Sequence, residues 1–375
     1  MAQGDSQAVI DTRITCAADE SIRTPQSTAI MPTARTKNRR AEKDRQGLAI
    51  PTTMKVAALD RFGPPSVLRL HRLPVPKPRP REVLIALHAS GVGIWDASVR
   101  DGSWRPYQRV EFPLVPGTDG AGMVMAKGVR VREFQIGDGV YAIDFSDPQG
   151  GFYAEYKVAG VQNIASVPQR LDLVEAGALP VPGVTGLQAI DDHLRLRHGQ
   201  TVLIFGASGA VGTLAVQFAK RVRARVLGTA SGRDATTLVR RLGADAVIDA
   251  RSEEGVDKLH SLVPDGLDAL LALAGGEALE QCIDWVRRGG RVAYPNGIEP
   301  EPRKRPGIRF LAYDGMPGPR EFARLNRAVV EAKLRVPIAA EFPLAQAAKA
   351  HQRLERGHVL GRIVLRIRVA KLSWD

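Results

Sequence analysis

The sequence predicts an α/β chain in which a smaller β-rich domain precedes a doubly wound parallel sheet. Three observations carry that prediction. Residues 201–205 are β-branched and apolar, and they meet Gly206, Gly209 and Gly212 before the helical stretch Leu214-Ala-Val-Gln-Phe-Ala-Lys220. Strand and helix patterns then alternate as far as Tyr294, as they do where crossover helices join parallel strands. Between residues 54 and 156, short alternating strands are instead punctuated by glycine turns, as in a small barrel.

The first 53 residues are poor in aromatics and rich in Ser, Thr, Ala, Gln and Arg, with no sustained apolar period. Such a composition reads as a disordered tail. It lacks the apolar core of a secretory signal, and Asp5, Asp11, Asp19 and Glu20 argue against a transit peptide. Met54-Lys-Val-Ala-Ala-Leu59 opens the ordered part, and the proline-rich residues 73–80 form an extended connector. The alternating strand Glu82-Val-Leu-Ile-Ala-Leu-His88 follows. Pro116-Gly-Thr-Asp-Gly-Ala-Gly122, Gly137-Asp-Gly-Val-Tyr141 and Gly150-Gly-Phe-Tyr-Ala-Glu-Tyr156 continue the pattern of strands and turns.

Residues 174–179 and 184–189 are helical. Past the glycine loop, strands fall at 224–229, 246–249, 267–273 and 291–294. Helices fall at 234–242, 253–262 and 277–288, with Asp234 as a cap and Gly243 and Gly289-Gly290 as stops. An amphipathic helix falls over 320–333, after which a strand over 338–342, a helix over 344–355 and a strand over 362–367 return to the first domain. The expected divisions are a tail over 1–53, a catalytic domain over 54–180, a sheet domain over 181–334 and the return over 335–375.

Of the 375 residues, 44% are hydrophobic and 25% charged, which is an ordinary globular balance. The net charge of +13 asks for a partner, but the basic residues are scattered and aromatics are only 5%. That distribution argues against nucleic acid. No run approaches about 18 apolar residues, so no transmembrane helix is expected. Two distant cysteines, Cys16 and Cys282, cannot build a disulfide framework and point to a reducing, cytoplasmic setting. The seven histidines (His71, His88, His193, His198, His260, His351 and His358) show no metal-ligand spacing.

The glycine loop carries the chemistry. Small residues let a pyrophosphate approach the backbone, and a helix N-terminus supplies unpaired N–H groups and positive dipole. The pattern here is Ala207-x-Gly209-x-x-Gly212, with Ser208, Ala210 and Val211 between. Gly206-Ala-Ser-Gly-Ala210 also approaches a hydrolase elbow, but Ala210 stands where that motif has glycine. An NAD site usually has an acid at the end of the second strand. Gly228-Thr-Ala-Ser-Gly-Arg233 has none, whereas Ser231 and Arg233 could hold a 2′-phosphate. The expected cofactor is NADPH.

With these motifs in place, the chain resembles the medium-chain dehydrogenase/reductase superfamily, and within it the zinc-free quinone oxidoreductase group. The resemblance runs from about residue 54 to 367. It rests on Gly91-Val-Gly-Ile-Trp-Asp96, Gly137-Asp-Gly-Val-Tyr141, Leu179-Pro-Val-Pro-Gly-Val-Thr-Gly186 and the glycine loop. Leu242-Gly-Ala-Asp-Ala-Val-Ile-Asp249 and Gly357-His-Val-Leu-Gly-Arg-Ile-Val-Leu365 complete it. It implies a GroES-like catalytic domain, a Rossmann domain and a homodimer. Zinc members place a cysteine at Gly93 and a His-Glu pair at Thr118-Asp119, and a four-cysteine lobe that is missing here.

The resemblance further implies nicotinamide contacts at Thr185, at Ala274 and Gly275, and at Asn296. Residues 94–98 and 104–107 occupy the family's pocket region, which makes Asp96 and Tyr107 the candidate catalytic residues. The implied reaction is hydride transfer from NADPH to a quinone or an α,β-unsaturated carbonyl. The family's pocket asparagine and tyrosines are replaced by Gly93, Ser98 and Trp104. Two alternatives therefore remain: an NADPH-binding regulatory or RNA-binding protein on the same fold, and an enoyl-thioester reductase.

Overall fold

The computed structural model describes residues 50–103, 110–145 and 150–367. The tail expected over 1–53 falls almost wholly outside these residues, and Tyr107 falls outside them too. In chain order the first strands are β1 (Thr53–Ala58), β2 (Arg69–Pro74) and β3 (Glu82–Val92). Helix α1 (Ile94–Asp101) precedes β4 (Asp119–Lys127), β5 (Gly139–Ile143), β6 (Tyr156–Gly160) and β7 (Ile164–Ser166). Helices α2 (Leu173–Ala178) and α3 (Pro180–Gln188) lead to β8 (Thr201–Phe205) and α4 (Ala210–Arg221). Then β9 (Arg225–Thr229), α5 (Arg233–Arg241), β10 (Ala246–Ile248), α6 (Glu253–Leu262) and β11 (Leu267–Ala272) alternate. Helix α7 (Glu277–Ile283), β12 (Val286–Pro295), β13 (Arg309–Tyr313) and α8 (Pro319–Glu331) follow. The chain returns through β14 (Ile338–Pro343), α9 (Ala347–Glu355) and β15 (Arg362–Arg366).

Two sheets organise these elements. The GroES-like domain has the order β14-β15-β3-β4-β5-β7, with β6 also on β3, so the returning chain completes the first sheet. The Rossmann-like sheet has the order β10-β9-β8-β11-β12-β13, and every neighbouring pair is parallel. Strand order therefore reverses between β8 and β11, and a crevice opens at their carboxyl ends, where such sheets bind ligands. Along β8, Val202 and Ile204 enter one core while Leu203 and Phe205 enter another. Burial on both faces explains its unbroken apolar run.

The first of these cores also crosses between the sheets. Ala89, Tyr141 and Val364 pack in the same cluster as Leu179, Phe322 and Leu325. Tyr141, fully buried, donates its hydroxyl to Asn326 Oδ1 at 2.7 Å, fixing β5 to α8.

Several local expectations need revision. The helix expected over 277–288 ends at Ile283 because Val286 already pairs with Leu267. Gly289-Gly290 lies within β12 and does not stop a helix. Asp234 caps nothing: the N-cap of α5 is Gly232, at φ 83° and with no side-chain cap. The loop expected over 94–98 is the start of α1, and β13 was not anticipated at all.

Tyr141→Phe should remove the tie to Asn326 without emptying the core. We expect a loss of about 1 kcal/mol in chemical denaturation, with the fold retained.

Candidate functional site

The glycine loop sits at the reversal point of the sheet. Gly206 has φ 87°, a conformation that favours glycine, and it turns the chain out of β8. Its N–H donates to Thr229 Oγ1 at 2.8 Å, and Ala207 N–H donates to Thr229 O at 3.1 Å. Gly209 is the N-cap of α4, and no side chain caps that helix. Thr213 N–H is the amide that returns to Gly209 O, and the parallel bridge of Gly209 with Gly361 engages the Ala210 N–H, so the N–H groups of Val211 and Gly212 are left for an anion. A Cβ on Gly212 would lie 2.2 Å from Gly206 O, so only glycine lets the helix approach the strand this closely.

Ala207 replaces the first glycine of the pattern at no steric cost, because its methyl faces Gly228 of β9, where a Cβ would lie only 2.9 Å away. Ser208 contributes its carbonyl, which accepts the N–H of Gly361 at 2.9 Å. The loop is thereby stitched to the start of β15, and the crevice acquires a wall from the GroES-like domain.

At the adenosine end, Arg233 is exposed as the first residue of α5 and makes no ion pair among the described residues. Ser231 lies differently from expectation. Its hydroxyl donates to Asp249 Oδ1 at 2.8 Å, so its single proton is committed to a carboxylate. Arg251 approaches the same carboxylate at 3.6 Å. Burial tends to raise the Asp249 pKa, but the Ser231 and Arg251 contacts outweigh it and hold the acid below the usual range.

The expected nicotinamide residues share the strand ends but differ in availability. Leu273 N–H donates to Phe205 O at 3.0 Å, which brings Ala274 and Gly275 beside the glycine loop. Gly275 packs against the 299–300 backbone, where a Cβ would lie 2.4 Å from Pro300 O. Asn296 is exposed after β12 and donates Nδ2 to Asp314 at 2.9 Å. Thr185 lies inside α3, where its hydroxyl donates to Val181 O at 2.8 Å. It is neither a helix cap nor a free donor.

Where β3, β4 and β15 meet lies a buried charge cluster that the sequence did not disclose. Arg362, the first residue of β15, donates Nη2 to Asp119 Oδ1 at 2.9 Å, and these side chains are 7% and 0% exposed. Asp119 Oδ2 accepts the Val181 N–H at 2.9 Å, which joins β4 to α3. Asp96 is fully buried, and its Oδ2 accepts the Gly93 N–H at 2.7 Å at the start of α1. Its Oδ1 and Arg362 Nε are both sealed from solvent without a hydrogen-bond partner.

Burial pushes the Asp96 carboxyl from the usual 3.8 up to about 7, with the Arg362 charge pulling down and the Asp119 charge pushing up. Burial raises Asp119 as well, against the Arg362 charge and the Val181 N–H. Two carboxyls share one guanidinium, and burial works against the charge of both. Asp96 rises even though the Gly93 N–H and the Thr118 side chain favour its ionised form. As a catalytic candidate it is corrected: a sealed side chain holding the N-terminus of α1 is a positioning residue.

The cluster continues into Tyr153 and His351. Arg100 Nη1 faces His351 Nδ1 at 3.2 Å, and Tyr153 Oη lies 2.9 Å from His351 Nε2. Arginine only donates, so Nδ1 accepts and Nε2 carries the hydrogen. Burial and the Arg100 charge lower His351 to about 3, keeping it neutral.

The raised Asp96 pKa has a definite sign. Between about 4 and 7 the folded state holds a proton that the unfolded state has lost, so stability falls as pH rises through this window. The slope from this one group is at most about 1.4 kcal/mol per pH unit. Asp96→Asn should flatten the decline in chemical denaturation at pH 5, 6, 7 and 8. An unchanged slope would remove Asp96 as its source.

Known proteins agree with this architecture. Residues 79–169 match the family described as an alcohol dehydrogenase GroES-like domain, and residues 242–365 the family described as a zinc-binding dehydrogenase. A quinone oxidoreductase of Mus musculus is 31% identical over 318 residues, covering 81% of this chain and 95% of the relative. A chloroplast envelope quinone oxidoreductase homolog of Arabidopsis thaliana is 32% identical over 312 residues, covering 78% and 92%. The solved quinone oxidoreductase of Coxiella burnetii has a TM-score of 0.76 at 32% identity, covering 84% of this chain and all (100%) of that one. A solved NAD-dependent alcohol dehydrogenase has a TM-score of 0.79 at 29% identity, covering 84% and 100%. Among the described residues, no three His, Cys, Asp or Glu side chains gather as a metal site, and no helix is long and apolar enough to cross a membrane. The chain belongs to the medium-chain dehydrogenase/reductase superfamily, as a quinone oxidoreductase-like member and hence a nicotinamide-dependent oxidoreductase.

Proposed function

We propose that this oxidoreductase uses NADPH and, without zinc, reduces a quinone or an α,β-unsaturated carbonyl. The observation that carries the reading is the pairing of an uncapped glycine loop with the buried Arg362–Asp119 pair packed beside Gly93. The loop fits a dinucleotide: the amides of Val211 and Gly212 have no acceptor among the described residues at the N-terminus of α4, and Gly212 lets the helix close on the strand. The pocket offers glycine where the zinc relatives have a cysteine.

The nicotinamide supplies a hydride when bound. The amides of Val211 and Gly212 hold the pyrophosphate, with Ser208, Gly209 and Ala210 shaping the turn. Arg233 takes the 2′-phosphate. Residues 273–275 and Asn296 border the nicotinamide, and Thr185 backs it through the 181–185 helical turn. Asp96 fixes α1, whose exposed Ile94 and Trp95 supply apolar surface beside the cleft. A conjugated acceptor needs little more than position and dryness, because the charge it gains delocalises onto oxygen. Tyr107 remains a candidate substrate contact. The dimer implied by the resemblance, read by sedimentation, belongs to the same proposal.

The direct test is NADPH oxidation by purified protein in the presence of quinones, enones and enoyl-thioesters. Turnover with a quinone or enone is expected. Binding of NADPH with no acceptor reduced would favour the regulatory reading, and preference for an enoyl-thioester would favour that alternative.

Cofactor choice is tested separately through Arg233. Arg233→Ala should weaken NADPH about 10- to 100-fold, the loss of one charge-assisted contact, and leave NADH essentially unmoved. Equal weakening of both cofactors in fluorescence titration would refute the 2′-phosphate assignment.

A further inference from the structure

We propose that Arg362 is the electrophile of the active site: its guanidinium stabilises the oxygen that becomes negative when the acceptor is reduced. This rests on the reductase reading above and adds a residue to it. The backbone is shaped around this one side chain. A Cβ on Gly91 would lie 2.6 Å from Arg362 Nη2, and a Cβ on Gly93 would lie 2.8 Å from Nη1. Gly93 holds the position at which zinc relatives carry a metal-binding cysteine. A side chain there would have to displace the guanidinium, so the space beside Gly93 is occupied by a cation belonging to the chain.

The guanidinium is also incompletely used. Nη2 is bonded to Asp119, and Nε is sealed without a partner. Nη1 has no hydrogen-bond partner among the described residues, yet it is not among the sealed atoms, so the 7% exposure of the side chain leaves it reachable beside Gly93. A side chain this deeply buried, with only one of its three nitrogens bonded, is built to receive an oxygen. Its charge persists at every physiological pH, and Asp119 fixes its orientation in advance. Asp119 is thus the positioning residue.

The chemistry balances with the reactants already named. A C–H bond forms at the conjugated carbon of the acceptor as the C–H bond of the reduced nicotinamide breaks. The electron pair displaced through the conjugated system comes to rest on the carbonyl oxygen, opposite Nη1. Water then protonates that oxygen to give the enol; from a quinone, loss of a proton from the carbon that took the hydride and protonation of the other carbonyl oxygen give the hydroquinone. Strongly electrophilic quinones need this help less than enones do, and that difference makes the inference measurable.

Removing Arg362 alone would strand the buried Asp119 carboxylate, so the informative variant is R362M/D119N, in which both charges leave together. We expect kcat for an enone to fall about 100-fold or more, as on losing an oxyanion donor, and kcat for 1,4-benzoquinone to fall much less. A second readout needs no turnover. Wild type should bind 4-nitrophenol as its phenolate, lowering the ionisation midpoint seen by absorbance, and the double variant should not lower it. Arg362→Lys, which keeps the charge balance, should retain part of this effect and serves if the double variant fails to fold. Equal loss for both acceptors, a loss confined to NADPH affinity, or an unshifted midpoint in wild type would overturn the proposal. If wild type oxidises NADPH with no acceptor, the reductase reading fails, and the phenolate titration still decides whether Arg362 is an anion site.

Discussion

The contact on which the rest depends is the buried pair of Arg362 and Asp119. It joins residues 243 apart in sequence. Through Asp119 Oδ2 it also reaches Val181, so one carboxylate holds β4, β15 and the start of α3 together. Desolvating two charges offsets most of their attraction, so such a pair adds little net stability. Breaking one side is another matter, and leaves a buried charge at a cost of about 3–5 kcal/mol. The contact therefore enforces arrangement more than it strengthens the fold. Asp96 lies against the same guanidinium, where burial works against its charge and the Arg362 charge favours it.

This arrangement matters because it sits where the two sheets meet. The order of the parallel sheet opens its crevice between β8 and β11, and the bond from Gly361 N–H to Ser208 O presses the returning strand against the lip of that crevice. Arg362 is the next residue. The chain that completes the GroES-like sheet thus delivers its cation beside the phosphate-binding turn, and one backbone bond sets both registers. The apolar core shared by Tyr141, Leu179 and Phe322 keeps the two halves from sliding.

Much of this was legible in the sequence where the signal is local. The strand, glycine turn and helix around Gly206 predicted the loop, and strand–helix alternation predicted the parallel sheet. The exchange to Ala207 needed structure, since its compensation by Gly228 crosses from β8 to β9. The 231–233 turn was read as a phosphate site on residue type alone, and the claim of Asp249 on Ser231 from the next strand was invisible. Arg362 was quoted only as part of a closing motif. An arginine opening an apolar strand, set against lone acids in glycine-rich segments at 96 and 119, was a weak signal. Nothing local pairs residues so distant. Helix α1 was missed because Ile94 and Trp95, both exposed, break the apolar period expected of a helix facing the core.

The identity of the cation in the pocket limits the chemistry. A metal ion binds an alcohol oxygen directly and lowers its pKa, so it serves alcohol oxidation as readily as carbonyl reduction. A guanidinium donates hydrogen bonds and offers a fixed charge, but it has no open coordination position and cannot act as a base near neutrality. In the role proposed for Arg362 it can stabilise an oxygen already becoming negative, and it cannot take a proton from a neutral alcohol. Acceptors whose conjugation carries charge to oxygen meet that limit, whereas simple alcohols do not. Glycine at 91 and 93, an arginine at 362 and an acid at 119 therefore belong together: the glycines leave room for the guanidinium, and the acid fixes its orientation.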